Sequence, residues 1–265
     1  MPIGSILSKF NRIKLSTADN KEYDIIMNPV YKLAIKIIGI PHLGFRKRAS
    51  IILKLFKKVK KDVKILDAGC GYGIYSLILA EKGYNLTSLD IEAIRIKEIE
   101  SMKNEYGFIK DKIKTKIGSL TNLPFKNEEF EVIICSEVLE HIKDYKKAFL
   151  ELGRVLKKNG ALIVSVPTDS EQNLINFKKF GHERPGYSIN MISGMASKLR
   201  LKIERVFFYD YYFGKLAFKI HNSIKNNFLA GILFYPFYLF SFLDKILKLG
   251  RADGMVILFK KSDFR

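Results

Sequence analysis

Cysteine is scarce. The 265 residues contain two, Cys70 and Cys135, each at the end of an apolar, strand-like run. Two thiols so placed exclude the disulfide framework of a small secreted domain and point to a reducing, intracellular setting. The first twenty residues, MPIGSILSKFNRIKLSTADN, lack a continuous apolar stretch behind a basic start. They make a poor export signal, and a cytoplasmic location is expected. A membrane-spanning helix needs about twenty apolar residues. The uncharged run FLAGILFYPFYLFSFL, Phe228 to Leu243, has sixteen, and Pro236 interrupts it. Internal repeats and low-complexity tracts are absent too, and the length suits one compact unit with appendages.

Acidic residues are in deficit: 27 Asp and Glu stand against 46 Lys and Arg, for a formal net charge of +19. Such an excess invites nucleic acid, an anionic membrane surface or an acidic substrate as partner. The lysines are spread through nearly every segment, so the charge equally suits a solvated basic surface with no dedicated partner. No RNA-binding module is recognisable, and the aromatics gather in an apolar segment instead of alternating with basic residues as a stacking platform would.

What is present is an alternation. From Val63 onward the strand-like runs VKILDA, NLTSLD, IKTKIG, FEVIICS and GALIVSVP are mostly separated by helical patterns over residues 74–82, 92–106 and 144–157, the last ended by Asn159-Gly160. That is the signature of a doubly wound α/β fold, a mostly parallel sheet with helices on both faces. After Pro167 a long polar loop, TDSEQNLINFKKFGHERPGYS, leads to a short helix capped by Ser188. Two further strands, LKIERVFFYD and GMVILFKK, flank an insertion over residues 211–253. Residues 1–60 show helical periodicity, as in VYKLAIKIIGI and RASIILKLFKKV, and are expected to form a helical cap on a core of residues 61–265.

The stretch ILDAGCGYG, Ile65 to Gly73, is a glycine-rich turn between a strand and a helix, and LDIEA, Leu89 to Ala93, follows it. A dinucleotide site spaces its glycines G-x-G-x-x-G, with the pyrophosphate on the helix N-terminus. Here Gly69, Gly71 and Gly73 run G-x-G-x-G, and Ile74 stands where that pattern wants glycine. Asp67, two residues before the first glycine, would repel a pyrophosphate and attract an ammonium group. Asp90, at the end of the second strand, stands where a carboxylate binds ribose hydroxyls. A ligand with an amino group and a ribose but no phosphate satisfies both acids, and S-adenosylmethionine is such a ligand.

These residues resemble the first two motifs of the class I S-adenosylmethionine-dependent methyltransferases. GSLTNLPFKNEEFEVIICSEVLEHI and LKKNGALIVSVP resemble the next motifs of the subgroup that methylates small molecules and lipids, including the ubiquinone and menaquinone pathway enzymes. The resemblance implies a Rossmann-like sheet of seven strands with an antiparallel last strand. It further implies cofactor contacts from Asp67, Gly69, Cys70, Gly71, Gly73, Asp90, Ile91, Ser119, Leu120 and Ser136. In that subgroup the position of Ser119 is commonly aspartate and contacts the adenine amino group. The hydroxyl of Ser119, or backbone, must serve here, with Leu120 flanking the ring.

For the chemistry, Glu137, Glu140 and His141 in SEVLEHI are spaced i, i+3, i+4 and are expected on one face of a helix starting at Ser136. His141 suits a general base; Glu137 is the other catalytic candidate. The alternative role for the acids is to complement a helix dipole, worth roughly 0.3–1 kcal/mol each. The same three residues resemble the divalent-metal ligands of some ubiquinone-pathway and small-RNA methyltransferases, with His182 in FGHERPGYS as a fourth. Arg184 beside it would bind an acidic acceptor or a surface carboxylate.

The implied activity is methyl transfer to a small, hydrophobic or membrane-associated acceptor: a lipid, quinone precursor or glycan-lipid. RNA methylation and cofactor binding without catalysis are the alternatives. The Phe228 to Leu243 run is expected to be a buried cap, a surface dipping into a bilayer interface, or a span.

Overall fold

The computed structural model describes residues 12–16, 22–26, 43–224, 233 and 236–263. In chain order its strands and helices are β1 (Arg12–Ser16), β2 (Glu22–Ile26), α1 (Leu43–Leu55), β3 (Lys64–Ala68), α2 (Ile74–Glu81), β4 (Asn85–Asp90), α3 (Ala93–Glu105) and β5 (Ile113–Ile117). Then come β6 (Phe130–Ser136), α4 (Tyr145–Val155), β7 (Leu156–Pro167), α5 (Glu171–Asn176), α6 (Ile189–Ser197), β8 (Leu201–Tyr209), α7 (Tyr212–Ser223), α8 (Asp244–Leu247) and β9 (Gly254–Lys261).

Seven strands form one sheet in the order β5-β4-β3-β6-β7-β9-β8. The first five in that order pair in parallel, and β9 is antiparallel to both β7 and β8. This is the expected doubly wound sheet with its antiparallel last strand. Buried residues form one core layer that includes α1, α2 and α3, and a second that includes α4 and α6. β6 and β7 are central and covered on both faces, which is why FEVIICS and ALIVSVP are nearly continuous apolar runs. The chain steps outward from β3 to β4 to β5, then returns to β6 on the other side of β3. The crevice beyond the strand ends at that reversal is where α/β sheets bind ligands.

Local expectations are corrected in three places. The helical periodicity of the first sixty residues is realised in α1, but Arg12–Ser16 and Glu22–Ile26 pair as an antiparallel hairpin; VYKLAIKIIGI lies outside the described residues. The helix expected to run to Lys157 stops at Val155, and Asn159-Gly160 falls within β7, at an irregularity of the β6–β7 pairing, instead of capping the helix. Backbone bonds from Glu128 and Glu129 to Arg154 and Val155 hold the chain there. The long polar loop contains α5, capped by Ser170, whose hydroxyl accepts from the Asn173 amide at 3.3 Å. The helix after Ser188 is as expected, with the Ser188 hydroxyl accepting from Met191. Within the Phe228 to Leu243 run, residues 228–232, 234 and 235 lie outside the described residues, while 236–240 are helical and Ser241–Leu243 form a 3-10 turn. Among the described residues no helix is long and apolar enough to cross a membrane.

The insertion is fastened by one carboxylate. Asp244 is 6% exposed and accepts from the amides of Tyr211, Phe213 and Gly214 at 3.1, 2.9 and 2.9 Å. Lys47 of α1 joins it at 3.1 Å and also pairs with Asp210 at 2.8 Å. Asp244→Ala would leave three amide donors at the N-terminus of α7 without this acceptor. It is expected to cost about 2–4 kcal/mol and to speed hydrogen exchange of the α7 amides while those of β6 stay protected.

Candidate active site

The glycine-rich turn leaves β3 and is closed by its own backbone. Gly69 and Cys70 donate to the Leu89 carbonyl at 2.8 and 2.9 Å, Gly73 donates to Cys70 at 2.9 Å, and Gly71 donates to the Asp90 carboxylate at 2.8 Å. These amides are therefore spent within the protein and do not form the open cradle a pyrophosphate needs. Gly69 and Gly73 have φ of 72° and 74°. A Cβ on Gly69 would stand 2.6 Å from Val138, and one on Gly73 would stand 2.8 Å from Ile99. Both positions thus require glycine by conformation and by contact.

Asp90 is 3% exposed. Besides Gly71 it accepts from the Glu92 amide at 3.0 Å, and Arg95 lies 3.9 Å away. Each carboxylate oxygen keeps a further lone pair for a ligand donor. Asp67 is 2% exposed and sits under the turn, where one oxygen accepts from Ser76 at 2.7 Å. Burial, opposed by that bond and reinforced by the charge of Asp90, pushes its carboxyl up to about 6. Burial likewise pushes the Cys70 thiol up, followed by Asp67 and Asp90. Ile91 is 66% exposed directly after Asp90, whereas Leu120 is 4% exposed and belongs to the core. Ile91 therefore offers more surface to a flat ligand group than Leu120 does. Ser119 lies in a tight turn, its hydroxyl accepting from the Thr121 amide at 3.2 Å.

Across the crevice, the expected helix after Ser136 does not exist. Glu137 takes a left-handed φ of 55°, and only a short 3-10 turn, Leu139–His141, follows. Glu137 therefore parts from Glu140 and His141 instead of sharing a helix face with them. Its carboxylate accepts from Ser165 of β7 at 2.7 Å and from Tyr209 of β8 at 3.4 Å, and Arg48 of α1 pairs with it at 3.3 Å. Burial weighs against the charge of Arg48, but Glu137, followed by Tyr75 and Tyr209, outweighs it and pushes the guanidinium further up. Burial and then Glu137 push the Tyr209 phenol far up. Arg48 Nε and the hydroxyls of Tyr75 and Ser136 are buried without a hydrogen-bond partner. Burial pushes the Tyr75 phenol up, and Arg48 and Ser136 sit close enough to offset part of that rise. These groups face one another without reaching hydrogen-bond geometry, an arrangement suited to receiving a polar ligand.

His141 and His182 do meet: their rings lie 4.7 Å apart, edge to face. Ligand atoms of Glu140, His141 and His182 come within 4.8 Å of one another, a group that Glu137 does not join. Glu140 is fully buried, and neither of its carboxylate oxygens has a partner. Burial and then Glu137 push its carboxyl well up. Burial, followed by His141, pulls His182 down to about 4. His141 Nδ1 lies 3.0 Å from the Gly181 carbonyl. A carbonyl only accepts, so in the neutral ring Nδ1 carries the hydrogen and Nε2 presents its lone pair.

Arg184 does not await an acidic ligand. Its guanidinium donates to the carbonyls of Leu139, Ile142 and Lys143 at 2.8, 2.8 and 3.0 Å and to the Tyr187 hydroxyl at 3.1 Å. It clasps the loop after β7 to the loop after β6, and so keeps the two histidines together. Arg48 was not singled out from the sequence, yet it was detectable: with Phe45, Ala49 and Ile52 it follows an i, i+3, i+4, i+7 stripe, the lone charge on a buried face.

The pattern of a methyltransferase domain matches residues 66–164. An uncharacterized protein of Methanocaldococcus jannaschii is 37% identical over 117 residues, covering 44% of this chain and 46% of that protein. The ubiquinone biosynthesis O-methyltransferase of Rickettsia conorii is 31% identical over 113 residues, covering 42% and 38%. That of Rickettsia canadensis is 32% identical over 130 residues, covering 48% and 53%. The chain thus spans about half the length of the curated relatives it matches. Among solved structures, a putative sarcosine dimethylglycine methyltransferase from Galdieria sulphuraria superposes with a TM-score of 0.59 at 21% identity, covering 83% of this chain and 86% of that one. The geranyl diphosphate C-methyltransferase of Streptomyces coelicolor, solved with Mg2+, geranyl diphosphate and S-adenosyl-L-homocysteine, gives 0.62 at 15%, covering 81% and 78%. Motifs and fold alike resemble the class I methyltransferases, the ubiquinone-pathway enzymes among them.

The buried Asp67 carboxyl has a consequence for stability. Its pKa is raised from 3.8 to about 6 on folding, so the native state holds the proton more tightly. The contribution of Asp67 to stability is fully present below about pH 4, is lost as pH rises to about 6, and does not change further above that. Asp67→Asn retains an oxygen for Ser76 and is expected to match the wild type at about pH 3.5. Above about pH 6 it should be more stable by about 2–3 kcal/mol, as read by urea denaturation at the two pH values.

Proposed function

We propose that this chain, whose residues 66–164 match a methyltransferase domain, transfers the methyl group of S-adenosylmethionine to a hydroxyl on a small, apolar acceptor such as a lipid, quinone precursor or glycan-lipid. The observation that carries the reading is the turn itself. Its amides are closed on Leu89, Cys70 and Asp90, so it offers carboxylates where a dinucleotide would need donors. When bound, the cofactor supplies a methyl group on a sulfonium, ready for in-line displacement.

The chain's part is to hold and orient. Asp90 takes ribose hydroxyls on its free lone pairs, Ile91 covers the adenine, and Ser119 supplies a hydroxyl at its edge. Gly69 and Gly71 let the backbone approach closely, with the charge of Asp67 beneath. Arg48, paired with Glu137 and with Nε unpartnered, receives the cofactor's carboxylate alongside the Tyr75 and Ser136 hydroxyls. Glu137 thus acts as a positioning residue. His141 takes the acceptor hydroxyl's proton on Nε2, the nitrogen that the Gly181 carbonyl leaves free. The two cysteines are free thiols, which suits a reducing, cytoplasmic compartment.

A second reading adds a divalent cation at Glu140, His141 and His182. A fully buried carboxylate with both oxygens unpartnered either keeps its proton or meets a cation. There the ion would polarise the acceptor hydroxyl and His141 would be a ligand instead of a base.

Calorimetry should show S-adenosylmethionine binding and no NAD binding, with Asp90→Ala weakening the former by about 1–3 kcal/mol. NAD binding alone would end the reading. His141→Ala should lower turnover about 10²–10⁴-fold with cofactor affinity nearly intact. Loss of activity in chelator, restored by Mn2+ or Zn2+, together with Mn2+ binding that Glu140→Gln abolishes, selects the metal reading. Indifference to chelator leaves the base.

A further inference from the structure

The stretch from Leu239 to Leu249 exposes apolar surface that folding ordinarily hides. Leu239, Phe240, Leu243, Ile246, Leu247 and Leu249 are 55%, 36%, 36%, 79%, 49% and 48% exposed. Scattered singly, such residues need no explanation; concentrated in eleven consecutive positions, they make a patch. Fraying does not account for it. Asp244, in the middle of the stretch, is buried and bonded to Tyr211, Phe213, Gly214 and Lys47. The segment is held in place by a buried charge while its leucines and isoleucine stay outside.

Charge selects the partner. Lys245, Lys248 and Arg251 are exposed in or beside the same stretch, and Lys54, Lys57 and Lys58 are exposed at the end of α1. Between residues 239 and 251 the single acid is Asp244, which is buried. Burial, followed by repulsion from Lys54 and Lys47, pulls the Lys245 ammonium down, so the basic groups of α1 and α8 crowd one another. Lys245 Nζ stands 3.8 Å from the centre of the Phe242 ring, and the Arg46 guanidinium stands 4.1 Å from that of Tyr238. A second copy of the chain docking here would bring like charges together. An anionic leaflet would instead accept the apolar side chains at the acyl boundary and the cations at the headgroups.

We propose that the face formed by Leu239–Leu249 together with Lys54, Lys245 and Lys248 docks on an anionic lipid bilayer. The face connects to the site through adjacent residues of α1: Lys47 grips Asp244 and Asp210, and Arg48 grips Glu137. Docking therefore places the crevice beside the membrane, where an apolar acceptor resides. Vesicle binding needs no cofactor, so this proposal and the methyl-transfer reading stand or fall separately.

The test is flotation of the full chain with phosphatidylcholine vesicles containing or lacking phosphatidylglycerol. The chain is expected to float with the anionic vesicles, to stay behind with neutral ones, and to be released by about 0.5 M salt. Ile246→Asp with Leu249→Asp should lower binding at least about tenfold, and Lys245→Glu or Lys248→Glu about fivefold each or more. All four changes are at exposed positions, and unchanged circular dichroism and melting temperature verify the fold. Failure of the wild type to float, equal binding to neutral vesicles, or indifference to both sets of variants overturns the proposal. A concentration-dependent dimer that Ile246→Asp dissociates, in a chain that ignores vesicles, also overturns it and assigns the face to a second copy.

Discussion

The carboxylate of Glu137 is the joint on which the site depends. It stands where β6 ends, in a left-handed residue that no helix could contain, and it collects Ser165 from β7, Tyr209 from β8 and Arg48 from α1. Its side chain keeps 27% exposure, so the pairing is neither a surface contact of little worth nor a fully desolvated one. It offsets the desolvation that Arg48 meets on burial. It also ties α1 to the end of β6 through Arg48. Because Lys47 reaches Asp210 and Asp244, the same helix ties the insertion to the crevice.

The opposite wall obeys a different economy. Asp90 organises the glycine-rich turn and the entry to α3 through Gly71 and Glu92, a fixed orientation that suits the proposed ribose contact. Asp67 is an electrostatic liability under the turn: it is buried beside Asp90 and relieved only in part by Ser76. Titratable groups perturbed in this way cluster at functional sites. Glu140 repeats the pattern beside the two histidines. The two walls thus carry four carboxyl groups, Asp67, Asp90, Glu137 and Glu140, with Arg95 beside Asp90 and Arg48 beside Glu137.

Much of this was legible from residue order, because strand-turn-helix periodicity and the positions of Asp67, Gly69, Gly71, Gly73 and Asp90 are local properties. The strand-like runs of the sheet and the Ser188 cap are legible on that basis, while the antiparallel last strand comes from the resemblance. What escaped was tertiary. The i, i+3, i+4 spacing of Glu137, Glu140 and His141 matched a helix, but contacts with Ser165, Tyr209 and Arg48, from distant parts of the chain, favour a left-handed corner there. His182 was linked to His141 by resemblance, and the clasp that joins them is Arg184, whose acceptors are backbone carbonyls without a sequence signature. The hairpin of β1 and β2 was hidden because short strands at five residues each cannot be told from helix by periodicity alone. Ser170 was a readable cap overlooked inside a polar stretch.

The central claim, that the two walls cooperate in moving a methyl group to an apolar acceptor, is tested most directly by transfer of label. The chain is incubated with methyl-labelled S-adenosylmethionine and fractionated cell extract, and each fraction is partitioned between water and organic solvent. The account predicts label in a solvent-soluble product, absent when His141 is replaced. Label that stays wholly on the cofactor while the chain binds it, or that appears only in RNA, would contradict the account.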